Sequence, residues 1–169
     1  MKIRTITIND AENFHKMMCQ LDEETEYMMF EPGERQLRTK DLNGLKSAIQ
    51  EAGSGKDFLL VAENDEGKLI GYLWAKRGRM NRIQHTAYIV AGILKAYRCQ
   101  GIGTRLFQQL EEWARSNNII RLELTVECEN TLAKSLYDKC GFQVEGLRPK
   151  SMKVNDRYVD EYYMGKILE

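Results

Sequence analysis

Tyr97-Arg98-Cys99-Gln100-Gly101-Ile102-Gly103-Thr104 stands between an apolar run at 87–94 and an amphipathic run at 102–113. A β-strand therefore ends here, two glycines let the backbone turn tightly, and a helix begins. The first N–H groups of a helix have no acceptor inside it. Together with the positive end of the helix dipole they suit an anionic group such as a phosphate. Arg98 adds a forked cation matched to pyrophosphate. The segment predicts a strand–turn–helix unit that grips a phosphorylated ligand.

Working outward, 85–93 reads as the strand before the turn. The helix 101–117 follows it, buried through Ile102, Leu106, Leu110 and Trp113, and leads to a strand at 119–126. Such a crossover makes its two strands parallel and places a ligand at their carboxyl ends. Upstream, 2–8 alternates like a strand, and Asn9 or Asp10 caps a helix, with Glu12 completing a box from Asn9. Phe14, Met17, Met18 and Leu21 fall at i, i+3, i+4 and i+7, one helical face. An acidic stretch at 22–34 is broken at Pro32-Gly33. Leu42, Leu45 and Ile49 mark a second helix, ended by Gly53-Ser54-Gly55. Strands at 58–62 and 69–75 are joined by the turn Asn64-Asp65-Glu66-Gly67. Downstream, a short helix at 130–140 carries Ala133, Leu136, Tyr137 and Cys140 on one side and ends at Gly141. Strands at 142–147 and 158–167 close the chain.

The bulk numbers bound the possibilities. A length of 169 residues fits one domain, 1–169. Lys plus Arg (25) equals Asp plus Glu (25), so no cationic field for nucleic acid exists. Mean hydropathy is negative and no run approaches the roughly 20 apolar residues of a membrane span. The N-terminus lacks the apolar core of a signal peptide, which points to the cytoplasm. Cys19, Cys99, Cys128 and Cys140 are scattered, and with only His15 and His85 beside them they predict neither a zinc site nor a disulfide framework, so no metal is expected. Cys99 precedes a helix start, where thiols gain reactivity. Without a neighbouring histidine base, its nucleophilic role is the weaker reading.

Two phosphate-loop readings fail. A dinucleotide fingerprint requires a third glycine where Leu106 stands, and a Walker loop requires Ser or Thr where Asp57 follows Gly55-Lys56. A third succeeds. Arg98-Cys99-Gln100-Gly101-Ile102-Gly103 resembles the pyrophosphate loop (Q/R-x-x-G-x-G/A) of the GNAT superfamily of acetyl-CoA-dependent N-acetyltransferases. Asn130-Thr-Leu-Ala133-Lys-Ser-Leu136-Tyr137-Asp-Lys-Cys-Gly141-Phe142 is similar to that superfamily's N-x-x-A-x-x-L-Y-x-x-x-G-F block. The tail Glu145-Gly146-Leu-Arg148, then Tyr158-Val-Asp160-Glu-Tyr-Tyr-Met164, is similar to branches acting on amino acids, polyamines and ribosomal-protein amines.

The resemblance implies an α/β (α+β) fold: a mixed, mostly antiparallel twisted sheet, helices on both faces, and a splayed parallel strand pair at its centre. It implies acetyl-CoA as cosubstrate, held by Arg98, Cys99, Gln100, Gly101, Ile102, Gly103 and Thr104. The pantetheine arm would lie between strands 85–93 and 119–126, pairing with main chain near Ile93, whose N–H would polarise the thioester carbonyl. Asn130 would flank the arm. Tyr137 is identified by its motif position as general acid for the departing thiolate, although helical spacing alone also fits a core tyrosine packed on Phe142.

Some relatives carry a glutamate five residues before the motif asparagine, and Thr125 stands there. Glu123 and Glu127 share the face of Thr125 by strand alternation, and His85 offers an imidazole, a side chain suited to proton exchange, so the base stays open among them. Carboxylates at 22–34, Glu31 among them, would attract a cationic amine, whereas Met28, Met29 and Phe30 would suit an apolar amino acid; an exposed acidic helix face with core methionines fits equally well. Tyr162 and Tyr163 point to opposite faces of the last strand. The expected partner is a small-molecule amine, with a protein N-terminus or a non-catalytic coenzyme A module as alternatives. Family habit adds pairing of two copies through a terminal strand.

Overall fold

The computed structural model describes residues 1–39 and 41–168. Its strands are β1 (Lys2–Thr5), β2 (Phe58–Glu63), β3 (Leu69–Arg77), β4 (Thr86–Ile93), β5 (Arg121–Glu127), β6 (Gln143–Val154) and β7 (Arg157–Ile167). Its α-helices are α1 (Ala11–Glu24), α2 (Glu34–Arg38), α3 (Asn43–Gly53), α4 (Ile102–Ser116) and α5 (Thr131–Lys139). The strand order is β1-β2-β3-β4-β5-β7-β6. β4 and β5 run parallel, as the crossover through α4 predicts, and β1–β2, β2–β3, β5–β7 and β6–β7 are antiparallel. No helix among the described residues is long and apolar enough to cross a membrane.

Two compact units divide the chain: Met1–Lys76 with Val90–Leu106, and Arg77–Ile89 with Phe107–Glu169. In the first, the predicted face of α1 is buried. Phe14, Met17, Met18 and Leu21 join Leu59, Val61 and Tyr72 in one apolar cluster, with Phe14 edge-on to Tyr72 at 5.2 Å. The end of β4 presses into this cluster. A Cβ on Gly92 would sit 2.8 Å from a Leu21 methyl and 3.1 Å from the Tyr72 ring, so only glycine permits the approach.

The predicted strand 2–8 is shorter, because its end folds into a 3-10 turn at Ile8–Asp10. Asp10, one of the two predicted caps, is the N-cap residue of α1 but makes no side-chain cap bond there; the capping box is Thr7 with Asp10 on the 3-10 turn, in place of Asn9 with Glu12. The Asp10 carboxylate accepts from the Thr7 N–H at 2.8 Å and from both terminal nitrogens of Arg4. That forked pair fixes Asp10 toward β1 and holds its carboxyl down at about 2.

In the second unit, β5 alternates. Leu122, Leu124 and Val126 are buried while Arg121, Glu123 and Thr125 are half-exposed on the other face. Phe107 meets Tyr137 and Phe142 edge-on at 5.6 Å, and Tyr137 and Phe142 are tilted to each other at 6.1 Å. The stripe of α4 differs from the prediction at one place: Ala114 is fully buried and Trp113 half-exposed. Lys166 donates to Glu111 at 2.5 Å and to the Cys140 carbonyl at 2.9 Å, closing the end of α5. Gly141 follows with φ +87, the residue predicted to end that helix.

β6 runs to Val154, well past the predicted end at 147, with register breaks after Val144 and after Arg148. Its hairpin with β7 turns at Asn155 and Asp156, both at positive φ (46 and 60), the backbone of a type I′ turn and one that Asn and Asp tolerate.

Candidate active site

The turn at 94–101 is tied down from three sides of its own unit. Leu94 N–H donates to the Ile70 carbonyl of β3 at 2.9 Å, and Lys95 N–H to Glu24 Oε2 at the end of α1 at 2.7 Å. Asn64 of the β2–β3 turn donates to the Tyr97 hydroxyl at 3.3 Å. A 3-10 turn at Lys95–Tyr97 follows, then Cys99 and Gly101 at φ +59 and +78. The two left-handed residues fold the chain into a concave backbone arch that leads directly into α4.

The first helical bond of α4 that closes over this arch runs from Arg105 N–H to the Gly101 carbonyl at 3.1 Å. The N–H groups of Ile102, Gly103 and Thr104 therefore have no acceptor within the helix. Ile102 is 1% exposed and Gly103 is buried, which anchors the helix start, while Cys99, Gln100, Gly101 and Thr104 face solvent. Arg98 folds back and donates from Nε to the Ile93 carbonyl at 3.0 Å. Gln100 donates to the Ala96 carbonyl at 3.2 Å, a bond inside the turn. The seven loop residues named from the sequence fall in one arch, whose Ile102, Gly103 and Thr104 N–H groups lack a helical acceptor, and Ile93 is linked to it through Arg98.

Tyr137 and Asn130 lie in the second unit. Asn130 caps α5, its side-chain oxygen accepting from Ala133 N–H at 3.2 Å, so part of its polarity serves the helix. The Tyr137 ring is packed against Phe107 and Phe142, as the core reading of the sequence expects. The side chain is half-buried, and burial pushes its pKa up to about 12, helped by the nearby Tyr88. A phenol in that state holds its proton throughout the neutral range, the property a general acid requires.

The residues considered for the base are dispersed. Glu123 is paired with Arg121 at 2.8 Å, and Arg121 also pairs with Glu145. Glu127 is buried and faces Glu161 across the β5–β7 ladder, where Arg148 pairs with Glu161 at 2.9 Å. His85 is exposed; its carbonyl accepts from Ile120 and Arg121 N–H groups and starts the parallel pairing.

Part of the acidic stretch is used internally, while Glu23, Glu26 and Glu31 are exposed. Asp22 is buried in a two-bond pair with Arg35 at 2.5 and 2.9 Å, Arg35 stacks on Phe30 at 4.5 Å, and Glu34 binds Arg38 and the Glu31 N–H. Breaking the Asp22–Arg35 pair would cost about 3–5 kcal/mol. Glu31 is exposed, Met28 packs on the core and Met29 is 73% exposed.

Sequence reasoning passed over one contact in this region. Tyr88 of β4 and Thr125 of β5 join their hydroxyls at 2.9 Å. Alternation places Tyr88 on the polar face of β4, with Ala87 and Ile89 buried, but nothing in the sequence gives the register that brings it to Thr125.

A family model described as the acetyltransferase (GNAT) family matches residues 16–142. L-amino acid N-acetyltransferase AaaT of Escherichia coli (strain K12) is 30% identical over 106 residues, which cover 60% of this chain and 64% of AaaT. The match thus spans just under two thirds of that relative. Among solved structures, an acetyltransferase of the GNAT family from Streptococcus pneumoniae aligns with a TM-score of 0.91 and 25% identity over 99% of both chains. The fold of yncA from Salmonella typhimurium, solved with its cofactor acetyl-CoA, aligns with a TM-score of 0.86 and 20% identity, covering 100% of this chain and 94% of that one.

Proposed function

The chain belongs to the acetyltransferase (GNAT) family, and from that premise we propose that it is an acyltransferase carrying an acetyl group from acetyl-CoA to the primary amine of a small molecule, with residues 1–169 acting as one transferase domain. The arch at 98–104 carries this reading: N–H donors without a helical acceptor, a helix dipole and an arginine meet there, a donor set suited to a diphosphate. Acetyl-CoA supplies, when bound, a thioester carbon open to attack by an amine.

The remaining work falls to the chain's own groups. Ile102, Gly103 and Thr104 N–H groups, the Thr104 hydroxyl and Arg98 hold the diphosphate, with Cys99, Gln100 and Gly101 shaping the arch. Main chain near Ile93 binds the arm and orients the carbonyl, and Arg98, bonded to the Ile93 carbonyl, couples the two tasks. Asn130 flanks the arm at the start of α5. Tyr137 gives its proton to the departing sulfur. Its raised pKa supports that role, since the phenol is still protonated when the sulfur leaves.

An amino acid is favoured over a polyamine as acceptor. Asp22 and Glu34 are paired with Arg35 and Arg38, which offsets part of the negative charge that would draw a polycation. The zero net charge supports a small acceptor over nucleic acid. The test is release of free thiol from acetyl-CoA in the presence of L-methionine, L-phenylalanine, L-arginine, spermidine or an alanine-terminated peptide. Turnover with an amino acid is expected. Turnover with the peptide alone would move the assignment to protein N-termini, and binding of acetyl-CoA without turnover would leave a non-catalytic module.

A further inference from the structure

We propose that the joined hydroxyls of Tyr88 and Thr125 seat the acceptor nitrogen: a neutral hydrogen-bonding pair that takes the free amine and positions it, where a carboxylate would instead remove its proton. This rests on the acetyltransferase reading above and names a part of the site that reading leaves open.

The pair occupies a defined point of the second unit. Parallel pairing of β4 with β5 covers Thr86↔Arg121, Ala87↔Leu122 and Tyr88↔Glu123, while β4 continues to Ile93 and β5 to Glu127. Tyr88 is thus on the last rung, and its hydroxyl reaches two residues further along β5 to meet Thr125 at 2.9 Å. Tyr88 is 38% exposed and Thr125 half-exposed, so a small molecule can reach both oxygens.

The hydroxyls lie near Tyr137, whose phenol feels the Tyr88 hydroxyl. Thr125 shares its face with Tyr163, its register partner on β7. Val126 and Tyr162, the next pair, face the other way, where Lys134 of α5 lies 6.0 Å over the Tyr162 ring. The proposed seat of the amine is close to the proposed proton donor for the leaving sulfur.

The hydrogen-bond inventory suits an unprotonated amine. Each hydroxyl has one proton and two lone pairs. Once one bond joins them, three lone pairs remain, enough to accept both N–H groups of an R–NH2 and leave its nitrogen lone pair free. Neither oxygen carries charge to offset an ammonium in a partly desolvated place. The charged neighbours are otherwise engaged: Glu123 by Arg121, and Glu161 by Arg148, with Glu127 buried beyond Thr125 opposite Glu161. His85 stands exposed at the start of β4. The reaction balances without an enzyme base. The amine loses one proton to solvent before binding and a second after the C–N bond forms. The sulfur takes the Tyr137 proton as the C–S bond breaks, and solvent returns one to Tyr137.

The experiment compares wild type, Tyr88→Phe, Thr125→Val and the double variant with the best L-amino acid of the panel and its methyl ester, whose amine is more acidic. In the wild type, kcat/KM should rise with pH to a plateau set by the acceptor's own pKa, reached at lower pH with the ester. Each single variant should raise the acceptor KM about three- to tenfold, the loss of one neutral hydrogen bond. The double variant should be no worse than the worse single one, and acetyl-CoA affinity and Tm should hold. Calorimetry of the same amino acid into the protein saturated with coenzyme A should show the same weakening. The proposal is overturned by an inflection that stays fixed when the acceptor changes and vanishes in Glu127→Gln, by wild-type KM in both single variants, or by absence of amino-acid binding to the coenzyme-saturated wild type. Loss of acetyl-CoA binding itself would instead strike the acetyltransferase reading, and it is measured separately.

Discussion

In the proposed chemistry Tyr137 serves two ends, packing and proton transfer. Its ring is held by an edge-on contact to Phe107 and a tilted one to Phe142, each worth about 0.5–1.5 kcal/mol. The same enclosure lifts its pKa from 10 to about 12. The neutral phenol is therefore the form that folding favours: its contribution to stability is whole below pH 10 and fades as pH rises toward 12. Tyr137→Phe keeps the ring and removes the proton. It should leave acetyl-CoA affinity and Tm in place while lowering kcat about 100-fold or more, and no alkaline loss assignable to this phenol should appear below pH 10. A kcat equal to wild type would remove Tyr137 from the chemistry. The motif around Tyr137 was legible because it is local, one helix and its cap. The Tyr88–Thr125 contact was not, because it joins residues 37 apart and depends on register, which alternation does not supply. The same holds for Asp22, read from its neighbours as part of an acidic surface but buried against Arg35.

At the scale of elements, the turn into α4 is the part the sequence described most fully. Two glycines, a preceding apolar run and a following amphipathic one specify strand, arch and helix with little ambiguity. What they did not announce is that Cys99 joins Gly101 at positive φ, a conformation that costs a non-glycine residue about 1–2 kcal/mol. Gly101→Ala isolates the arch. No atom lies within 4 Å of a Cβ there, so the cost is backbone strain alone. The variant should lose about 1–2 kcal/mol of unfolding free energy and bind acetyl-CoA more weakly. Gly67→Ala, at φ +80 in the β2–β3 turn with equal room, should lose similar stability and leave binding untouched. Equal binding in both variants would detach the arch from the cofactor. β6 was the element least visible. Pro149, Lys150 and Ser151 interrupt its alternation, and only pairing with β7 across that break carries the strand to Val154.

For the whole molecule, the sheet places β7 between β5 and β6, an insertion that chain order alone does not dictate. The parallel β4–β5 pair at its middle did follow from sequence, because a strand–helix–strand crossover has few alternatives. The acidic stretch, read as a wall for a cationic acceptor or as a solvated face, divides: Asp22, Glu24 and Glu34 make internal bonds while Glu23, Glu26 and Glu31 are exposed, and the two arginine pairs within it turn the proposed acceptor toward amino acids. Every step of the proposed chemistry depends on coenzyme A engaging the arch at 98–104. Titration calorimetry of acetyl-CoA into the intact protein measures this directly. A saturable heat with one site per chain, weakened in Gly101→Ala and retained in Tyr137→Phe, is the predicted result; the absence of any heat of association would contradict it.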